Sequence, residues 1–308
     1  MITDTVKTEL GDEQFKTAVV AIIGRPSAGK STFLNTVCKE PVAIVSPVPQ
    51  TTRDAIRGIV HTPFSQLIFV DTPGYHESDK KLNIRLRNVT HTQLKDADVI
   101  LYIVDATRAA GTEESLTAEL LAPYVDRVVV AVNKSDSPAA QVAAARSFIR
   151  AALPAVPDDC LCTMSALTNS GTDAVLDALL RKAPVAPALY PTDLYTDQDV
   201  EFRIAEIIRG EAINRLSEEI PHCLYVDIAD AEFRNNGSRL WVRAFLCVER
   251  ESQKGIVIGK GAAMIRAIRI AAIKKLRTIF DYTVDVDLQV KVDKNWRQKD
   301  RVLHQLIK

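Results

Sequence analysis

Runs rich in valine and isoleucine alternate with helical patterns from residue 17 to about residue 182. Short apolar runs are typical of buried strands, and their alternation with helices indicates a mostly parallel sheet with helices on both faces. The predicted strands are "TAVVAIIG", "SQLIFVD", "DVILYIVDA", "DRVVVAVNK" and "CLCTMSA"; the predicted helices begin at Lys30 and cover 82–95, 112–122, 139–152 and 172–182. This pattern predicts an α/β domain.

The pattern changes after "KAPVAPALYPTD" at 182–193, whose three prolines favour a linker. A helical pattern from Val200 to Leu216 follows, then the alternating strands "CLYVDI" and "RLWVRAFLCV", a loop, a helix over 262–279, the strand "VDVDLQVKV" and a final helix. This order predicts a smaller α+β domain. We expect an extension over 1–16, an α/β domain over 17–182, a linker over 183–198 and a second domain over 199–308.

Length and composition agree with two globular domains. The chain has 308 residues, 47% hydrophobic and 25% charged, and its longest apolar runs are too short to span a membrane. The N-terminal stretch has several acids and lacks the apolar core of a secretory signal, so we expect a cytoplasmic protein. The five cysteines form no CxxC pair, which argues for buried reduced thiols over disulfides or zinc.

Charge is distributed unevenly along the chain, although the total is zero. Residues 254–308 hold 13 Lys/Arg and 5 Asp/Glu, a net charge of +8, and residues 1–253 carry the balancing −8. The C-terminal domain is therefore the candidate for binding an anionic partner.

The segment "GRPSAGKS" at 24–31 fits the phosphate-loop pattern G-x-x-x-x-G-K-[ST], after a predicted strand and before a predicted helix. In such a loop the backbone N–H groups face the phosphates, Lys30 supplies a charge to the outer phosphates, and the Ser31 hydroxyl can ligate Mg²⁺. The predicted contacts are Gly24, Arg25, Pro26, Ser27, Ala28, Gly29, Lys30, Ser31 and Thr32.

Two further motifs follow in the order that a GTPase requires. In the segment Asp71, Thr72, Pro73, Gly74, the aspartate can hold Mg²⁺ through water and the Gly74 N–H can meet the terminal phosphate. In "NKSD" (Asn133, Lys134, Asp136), the Asp136 carboxylate can accept from guanine N1–H and the 2-amino group, which favours GTP over ATP. After the next strand, Ser165, Ala166 and Leu167 are predicted to contact the guanine through the backbone.

These residues resemble the Era family of bacterial ribosome-assembly GTPases, in the TrmE-Era-EngA-YihA-Septin-like branch. The resemblance covers about Thr17 to Ile307 and is most specific in "GRPSAGKST", "QTTRD", "DTPG", "NKSD", "YPTDLYTDQDVEFRIAEIIR" and "VERESQKGIVIGKG". It implies that Gln50–Asp54 is the first switch, in which either Thr51 or Thr52 senses the terminal phosphate and Mg²⁺. The implied catalytic set is Lys30, Thr51, Thr52, Asp71 and Gly74, and the implied metal ligands are Ser31, Thr51, Thr52 and Asp71.

The resemblance also implies a function. It implies a switch that uses GTP/GDP and Mg²⁺, hydrolyses GTP, binds a single-stranded segment near the 3′ end of 16S ribosomal RNA, and assists assembly and maturation of the 30S subunit, with a coupling to cell growth or the cell cycle. A monomer that associates peripherally with the inner membrane is implied as well, although no stretch of the sequence shows this physically.

Hydrolysis is expected to be slow. Where Ras-like enzymes place a glutamine after D-x-x-G, this chain has Tyr75 and then His76, which predicts turnover on the order of 10⁻⁴–10⁻³ s⁻¹. We interpret His76 as a solvated loop residue and not as a base.

The loop "IVIGKGAAMI" at 256–265 lacks the spacing of a second phosphate loop. Its place before a helix, together with the basic tail, indicates a type II KH domain, whose GxxG loop packs against nucleic-acid phosphates. The last glycine of GxxG is replaced by Ala262, which would hinder close approach if that position needs a positive φ. The predicted RNA contacts are Lys254, Gly259, Lys260, Gly261, Ala262, Arg266 and Arg269.

Three apolar residues near the loop, Ile256, Ile258 and Ile265, fit either the core or the groove for bases, and a core role is expected for most of them. Trp296 fits either a base-stacking role or a buried anchor for the last helix. Two other functions stay open: an RNA-binding scaffold with a structural nucleotide site, and a tRNA-modification GTPase, a branch that shares "TTRD" but lacks a C-terminal KH domain.

Overall fold

The computed structural model describes residues 14–48, 51–53, 55–72 and 81–306. Contacts divide the chain into two compact units. The first contains the residues up to Ala43 together with Thr52–Asp197, and the second contains Ile44–Thr51 and Gln198–Leu306. The short segment Ile44–Thr51 therefore belongs to the second unit, although it lies within the N-terminal part of the sequence.

The first unit is built on a six-stranded sheet in the part of the chain described, with the order β2-β3-β1-β4-β5-β6. All neighbouring strands pair in parallel except β2 and β3. The strands are β1 (Lys16–Ile23), β2 (Ile56–Thr62), β3 (Ser65–Asp71), β4 (Val99–Asp105), β5 (Val128–Asn133) and β6 (Leu161–Thr163). Because β3, β4 and β5 are buried along their whole length, both faces of the sheet are covered.

The helices of the first unit follow the strands as predicted. They are α1 (Lys30–Cys38), α2 (Lys81–Asp96), α3 (Thr112–Leu121), α4 (Val142–Ala152) and α5 (Thr172–Lys182). Strand β2 was not predicted: its sequence "IRGIVHT" alternates poorly, and it is defined by antiparallel pairing with β3 across a two-residue turn. The prediction of an α/β domain with a mostly parallel sheet is confirmed.

The proline-rich segment predicted as a linker packs on the first unit. The side chain of Gln66, fully buried in β3, accepts from the backbone N–H groups of Leu189 (2.8 Å) and Tyr190 (3.0 Å) and donates to the Tyr190 carbonyl (2.8 Å). The Ile59 N–H of β2 donates to the Tyr195 carbonyl at 2.8 Å. The segment thus covers the edge of the sheet, and the second unit resumes at Gln198.

The second unit has a three-stranded sheet in the order β7-β8-β9 among the described residues, with β7 antiparallel and β9 parallel to β8. Its strands are β7 (Tyr225–Arg234), β8 (Arg239–Val248) and β9 (Thr283–Val292). Its helices are α6 (Val200–Ile213), α7 (Ile220–Cys223), α8 (Glu251–Ile258), α9 (Ala263–Leu276) and α10 (Asp300–Leu306). Burial alternates along most of β8, so that one face of the sheet joins α6 and α9 in a single hydrophobic core.

Helix α8 was also missed by the sequence pattern. It is only eight residues long. Gln253 caps its N-terminus, because its side-chain oxygen accepts from the N–H groups of Glu249 (2.9 Å) and Arg250 (3.0 Å). The loop at 259–262 therefore joins two helices, α8 and α9. Across the described ranges, no helix combines the length and apolar character that a membrane span requires.

Candidate functional site

The phosphate loop lies between β1 and α1, where close contacts require its two glycines. A Cβ atom at Gly24 would overlap the carbonyl oxygen of Ile103, and one at Gly29, whose φ is +100°, would overlap the Asn133 side-chain amide. A residue without a Cβ atom is therefore a steric requirement at both positions. Of the other loop residues, Ser27 is exposed with a φ of +62°, Ala28 is buried, and Pro26, Ser31 and Thr32 are half-buried.

Lys30 is buried beneath this loop. Its ammonium donates to the carbonyl oxygens of Gly24 (2.9 Å) and Arg25 (3.1 Å). Burial lowers the pKa of Lys30 below its ordinary value, and the negative charge of Asp71 partly opposes this shift. The first helical residue therefore places a positive charge at the phosphate loop, as the motif predicts.

Three side-chain oxygens meet beside Lys30. The Ser31 hydroxyl donates to Asp71 Oδ2 at 2.6 Å, the Thr52 hydroxyl donates to the same oxygen at 3.2 Å, and the two hydroxyls lie 3.3 Å apart. Burial raises the pKa of Asp71, against the opposing effects of Lys30 and the two hydroxyls. Asp71 Oδ1 is also buried and accepts no hydrogen bond from the described residues.

The two threonines left open by the sequence are in different surroundings. Thr52 belongs to the first unit and is 8% exposed beside Asp71. Thr51 belongs to the second unit, where its carbonyl accepts from the guanidinium of Arg209 on α6 at 2.6 Å. Ile44 lies in the same unit and packs close to Gly210. The structure thus brings Thr52, and not Thr51, to the cluster of oxygens.

The guanine motif is tied to the phosphate loop through Asn133. Its side-chain amide donates to the Ala28 carbonyl at 2.8 Å, and its side-chain oxygen accepts from the Ala166 N–H at 2.9 Å. Thr36 of α1 donates to the Ala166 carbonyl at 2.8 Å. Three loops that are distant in sequence are therefore joined at one edge of the sheet, as expected for the carboxyl ends of parallel strands.

The side chains around this junction differ in exposure. Asp136 is exposed and Lys134 is half-buried, while Ser165 and Ala166 are buried and Leu167 is 78% exposed. Thr72 is buried, and its hydroxyl donates to the Ile22 carbonyl at 2.7 Å, so it supports β1. Pro73 and Gly74 lie outside the described residues, as do Gln50, Asp54, Tyr75 and His76.

Sequence reasoning missed three side chains near the site: Thr36, Asp105 and Glu114. Asp105 ends β4 in the same way that Asp71 ends β3, which is the one sequence signal that marks it. It forms an ion pair with Lys134 at 2.8 Å. Burial opposes ionisation of Asp105, but hydrogen bonds from Lys134 and Thr107 outweigh burial and lower its pKa.

Three residues of the glycine-rich loop in the second unit, one before and two after Lys260, have a positive φ. Gly259 has a φ of +73°, Gly261 of +57° and Ala262 of +60°. A Cβ atom at Gly259 would come within 2.8 Å of the Met264 Cβ, whereas one at Gly261 would meet open space. Ala262 therefore occupies a left-handed conformation that favours glycine, and it does so at the start of α9.

The predicted RNA-contacting cations surround this loop with different exposure. Lys260, Arg266 and Arg269 are exposed and Lys254 is half-buried. The guanidinium of Arg269 donates to the Val286 carbonyl at 3.4 Å. Ile265 packs against the core, Ile258 is half-buried, and Ile256 is 54% exposed, so Ile256 is the one of the three that is not a core residue.

Trp296 is a buried anchor and cannot stack on a base. Its ring is fully buried, its indole N–H donates to the Cys223 carbonyl at 2.8 Å, and its centroid lies 5.0 Å from that of Tyr225. All five cysteines are free; Cys160, Cys223 and Cys247 are buried, and Cys38 and Cys162 are half-buried.

Two family models match the chain, one in each unit. The model described as a 50S ribosome-binding GTPase matches residues 19–134, and the model described as a KH domain matches residues 219–297. Both parts of the predicted architecture, a P-loop GTPase domain and a KH domain, are therefore confirmed.

Relatives and solved structures match over nearly the full length. GTPase Era of Treponema denticola is 51% identical over 94% of this chain and 98% of its own length, and GTPase Era of Treponema pallidum is 48% identical over 95% and 97%. The structure of Era with MgGDPNP and nucleotides 1506–1542 of 16S ribosomal RNA has a TM-score of 0.90 at 31% identity, covering 95% of this chain and 98% of that one. A variant of Aquifex aeolicus Era bound to GDP·AlF4⁻ has a TM-score of 0.89 at 29% identity, covering 95% and 99%. This chain belongs to the Era family of GTPases.

Proposed function

We propose that this protein is a GTP-hydrolysing switch that binds a single-stranded segment near the 3′ end of 16S ribosomal RNA through its second unit and assists assembly of the 30S subunit. One observation carries the proposal: Lys30, Ser31, Thr52 and Asp71 form a single cluster in the first unit, and the second unit carries a KH-type glycine loop beside exposed cations. The Era relative with bound 16S RNA supports the choice of partner.

Magnesium fits the cluster of oxygens. Two hydroxyls and a carboxylate are the hard oxygen ligands that Mg²⁺ prefers. The buried Asp71 Oδ1 accepts no hydrogen bond in the part of the chain described. We infer that Ser31 and Thr52 would hold the ion directly and that Asp71 would hold it through water. When bound, Mg²⁺ neutralises the charge that develops on the phosphates.

Hydrolysis of GTP then depends on positioning of the phosphates and on stabilisation of the charge that develops on them. This chain has no glutamine after D-x-x-G. The Lys30 ammonium would stabilise the outer phosphates, and the backbone N–H groups of the phosphate loop would face the remaining oxygens. The Gly74 N–H is proposed to meet the terminal phosphate. Turnover of the isolated protein is expected to be slow, because Tyr75 and His76 follow D-x-x-G where Ras-like enzymes place the glutamine that orients the attacking water.

Guanine would be recognised by the loops that Asn133 joins. The Asp136 carboxylate is exposed and can accept from both guanine N1–H and the 2-amino group, and Asn133 holds the segment 165–167 in place by accepting from the Ala166 N–H. Adenine presents neither of these two donors, so the site is proposed to favour GTP.

RNA would bind at the loop of residues 259–262. The backbone at Gly261 is open to solvent, Lys260 projects beside it, and Ile256 offers an exposed apolar surface on the preceding helix. KH domains hold single-stranded nucleic acid in this way: its phosphates pack against the protein backbone of the loop, and its bases lie on an apolar surface. Cytoplasmic residence is proposed from the acidic N-terminal stretch, and peripheral association with the inner membrane from the family resemblance; cell fractionation would test both.

The proposal is tested by measuring RNA binding in two nucleotide states of the full chain. A fluorescent RNA with the sequence of 16S nucleotides 1506–1542 would be titrated with protein in Mg·GDPNP and in Mg·GDP, with a scrambled RNA as control. We expect binding to be tighter in Mg·GDPNP and at least tenfold weaker for the scrambled RNA. Equal affinity in both nucleotide states would refute the switch, and equal affinity for both RNAs would refute sequence recognition.

Phosphate release on addition of GTP tests the enzymatic half separately. A protein that binds RNA but releases no phosphate above a Lys30→Ala control would be an RNA-binding scaffold. The tRNA-modification alternative is disfavoured, because the KH domain model matches the second unit.

A further inference from the structure

Four charged side chains of alternating sign lie in a row from α3 to the guanine motif. Glu114 pairs with the Arg25 guanidinium at 2.7 Å, Arg25 lies 3.5 Å from Asp105, and Asp105 pairs with Lys134 at 2.8 Å. We call these four residues the charge row. It runs from the first variable position of the phosphate loop to the lysine of "NKSD", and three of its four members are buried.

The two carboxylates of the charge row are fixed by their own neighbours. Asp105 Oδ1 accepts from the Thr107 N–H (2.9 Å) and from its hydroxyl (2.6 Å), which leaves Oδ2 facing Lys134 and Arg25. Glu114 accepts from the Gly111 N–H at 3.2 Å at the start of α3. The two carboxylates are therefore held in place independently of Arg25 and Lys134. They in turn fix the positions of these two cations.

Stability alone is a weak reason for such an arrangement. Removing several charges from water costs about as much as, or more than, their mutual attraction returns, so buried ion pairs are often neutral compared with apolar residues of similar volume. The Arg25 Nε atom is buried without a hydrogen bond to any described residue, which adds to that cost. A row of this kind more readily serves to fix geometry than to increase stability.

The geometry that needs fixing is at Lys134. Its φ is +65°, a left-handed conformation that costs a non-glycine residue about 1–2 kcal/mol and persists only where neighbouring contacts impose it. One contact is the bond from the Ser135 N–H to the Met164 carbonyl (3.2 Å), and another is the bond from the Lys134 side chain to Asp105. Asp136 is two residues further on, so the backbone at Lys134 determines where its carboxylate lies.

We propose that Asp105 and Arg25 are positioning residues for guanine recognition: Asp105 holds Lys134 and, through its backbone, Asp136, while Arg25 joins this arrangement to the phosphate loop. The inference rests on the proposed function, in which Asp136 reads guanine. It makes base discrimination depend on two side chains, those of Asp105 and Arg25, that are not themselves proposed to contact the base.

The test compares GDP with IDP, which lacks only the 2-amino group that Asp136 would accept. Affinities are measured by isothermal titration calorimetry with the full chain and its Asp105→Asn variant. The variant is isosteric and keeps an acceptor oxygen for Thr107, but it presents an NH2 donor to Lys134 in place of the carboxylate oxygen. We expect the GDP affinity to fall about tenfold, the IDP affinity to fall less, and the preference for GDP over IDP to fall at least threefold. The kcat for GTP at saturation should stay within about twofold while KM rises.

Thr107→Val is the matched control. It removes a hydrogen bond to the same Asp105 carboxylate but keeps its charge and its bond to Lys134. We expect a similar loss of thermal stability with an unchanged preference for GDP over IDP. In a Lys134→Met background, Asp105→Asn should change the preference no further, because Asp105 acts through Lys134.

The charge row is merely structural if Asp105→Asn lowers the melting temperature but keeps the wild-type preference for GDP over IDP. Should that variant fail to fold, Lys134→Gln, at a half-exposed position, gives the same test: a retained preference refutes the proposal. If the unmodified protein itself does not prefer GDP over IDP, the proposed reading of guanine by Asp136 is wrong, and this outcome is distinct from failure of the positioning role.

Discussion

The loop at 24–31 and the loop at 259–262 both precede a helix and both contain residues with positive φ, but they are supported differently. In the first, Gly24 and Gly29 are surrounded by backbone and side-chain atoms of other strands, and Arg25 and Lys30 are buried. In the second, Gly261 meets open space, and Lys260 is exposed. The protein interior fixes the shape of the first loop, which suits one small ligand. The second is shaped by its own backbone and left open, which suits a polymer.

The difference predicts a large effect of adding one methyl group at Gly29. Gly29→Ala would force a Cβ into the Asn133 amide at a φ of +100°, so we expect GDP affinity to fall at least 100-fold and the free energy of unfolding to fall by about 1–3 kcal/mol. Calorimetry and thermal unfolding measure these two effects. GDP affinity within threefold of wild type would contradict the steric argument.

A second large effect is expected at the base-reading end of the same site. Asp136→Asn replaces a carboxylate with an amide that can no longer accept from both guanine donors but can donate to the 2-carbonyl of xanthine. We expect the preference for GDP over XDP to fall by at least 100-fold, measured by competition binding. Retention of the wild-type preference would remove Asp136 from base recognition.

At the second loop, removal of a charge should have a moderate effect that depends on salt. Lys260→Ala is expected to weaken RNA binding about five- to tenfold and to flatten the slope of log K against log salt by about 0.7, the value for one phosphate contact on a single strand. Lys95→Ala, an exposed lysine near the end of α2, is the control and should change neither quantity. An unchanged slope for Lys260→Ala would place this lysine outside the interface.

The left-handed alanine of the second loop offers a smaller, stabilising change. Ala262→Gly removes the Cβ atom at a φ of +60°, which relieves strain in the folded state but adds entropy to the unfolded chain. We expect the free energy of unfolding to rise by about 0.5–1 kcal/mol and the melting temperature to rise by about 2 °C. RNA affinity should rise about two- to threefold, because phosphates can approach the backbone more closely. A lower melting temperature would show that the strain at Ala262 is relieved elsewhere.

The smallest effect is expected at Gly255, which lies within α8 and whose Cβ would meet open space. Gly255→Ala should raise the free energy of unfolding by about 0.5–1 kcal/mol, the difference in helix propensity, with RNA affinity unchanged within twofold. It is also the matched glycine-to-alanine control for Gly29→Ala. A loss of RNA binding would show that the bare backbone of α8 is itself a contact surface.

Sequence reasoning succeeded where the determinants are local. The five parallel strands, the phosphate loop and "NKSD" each depend on residues close together in sequence, and the structure has them at the predicted positions. Strand β2 and helix α8 were missed because an edge strand with weak alternation and an eight-residue helix have little pattern of their own. The choice between Thr51 and Thr52 depends on Asp71 and Arg209, which no spacing in the sequence relates to them. The charge row, spread over four segments, was beyond prediction for the same reason.

The two tryptophans of the chain give the second unit its own optical signal. Trp241 lies on β8 with the Arg234 and Arg243 guanidinium groups 4.6 and 5.3 Å from its ring centroid, and Trp296 is the buried anchor described above. Intrinsic tryptophan emission therefore reports unfolding of the second unit alone, whereas far-ultraviolet circular dichroism follows both units. Where the two denaturation curves separate, the units unfold independently, and the interval between the curves measures the difference in their stabilities.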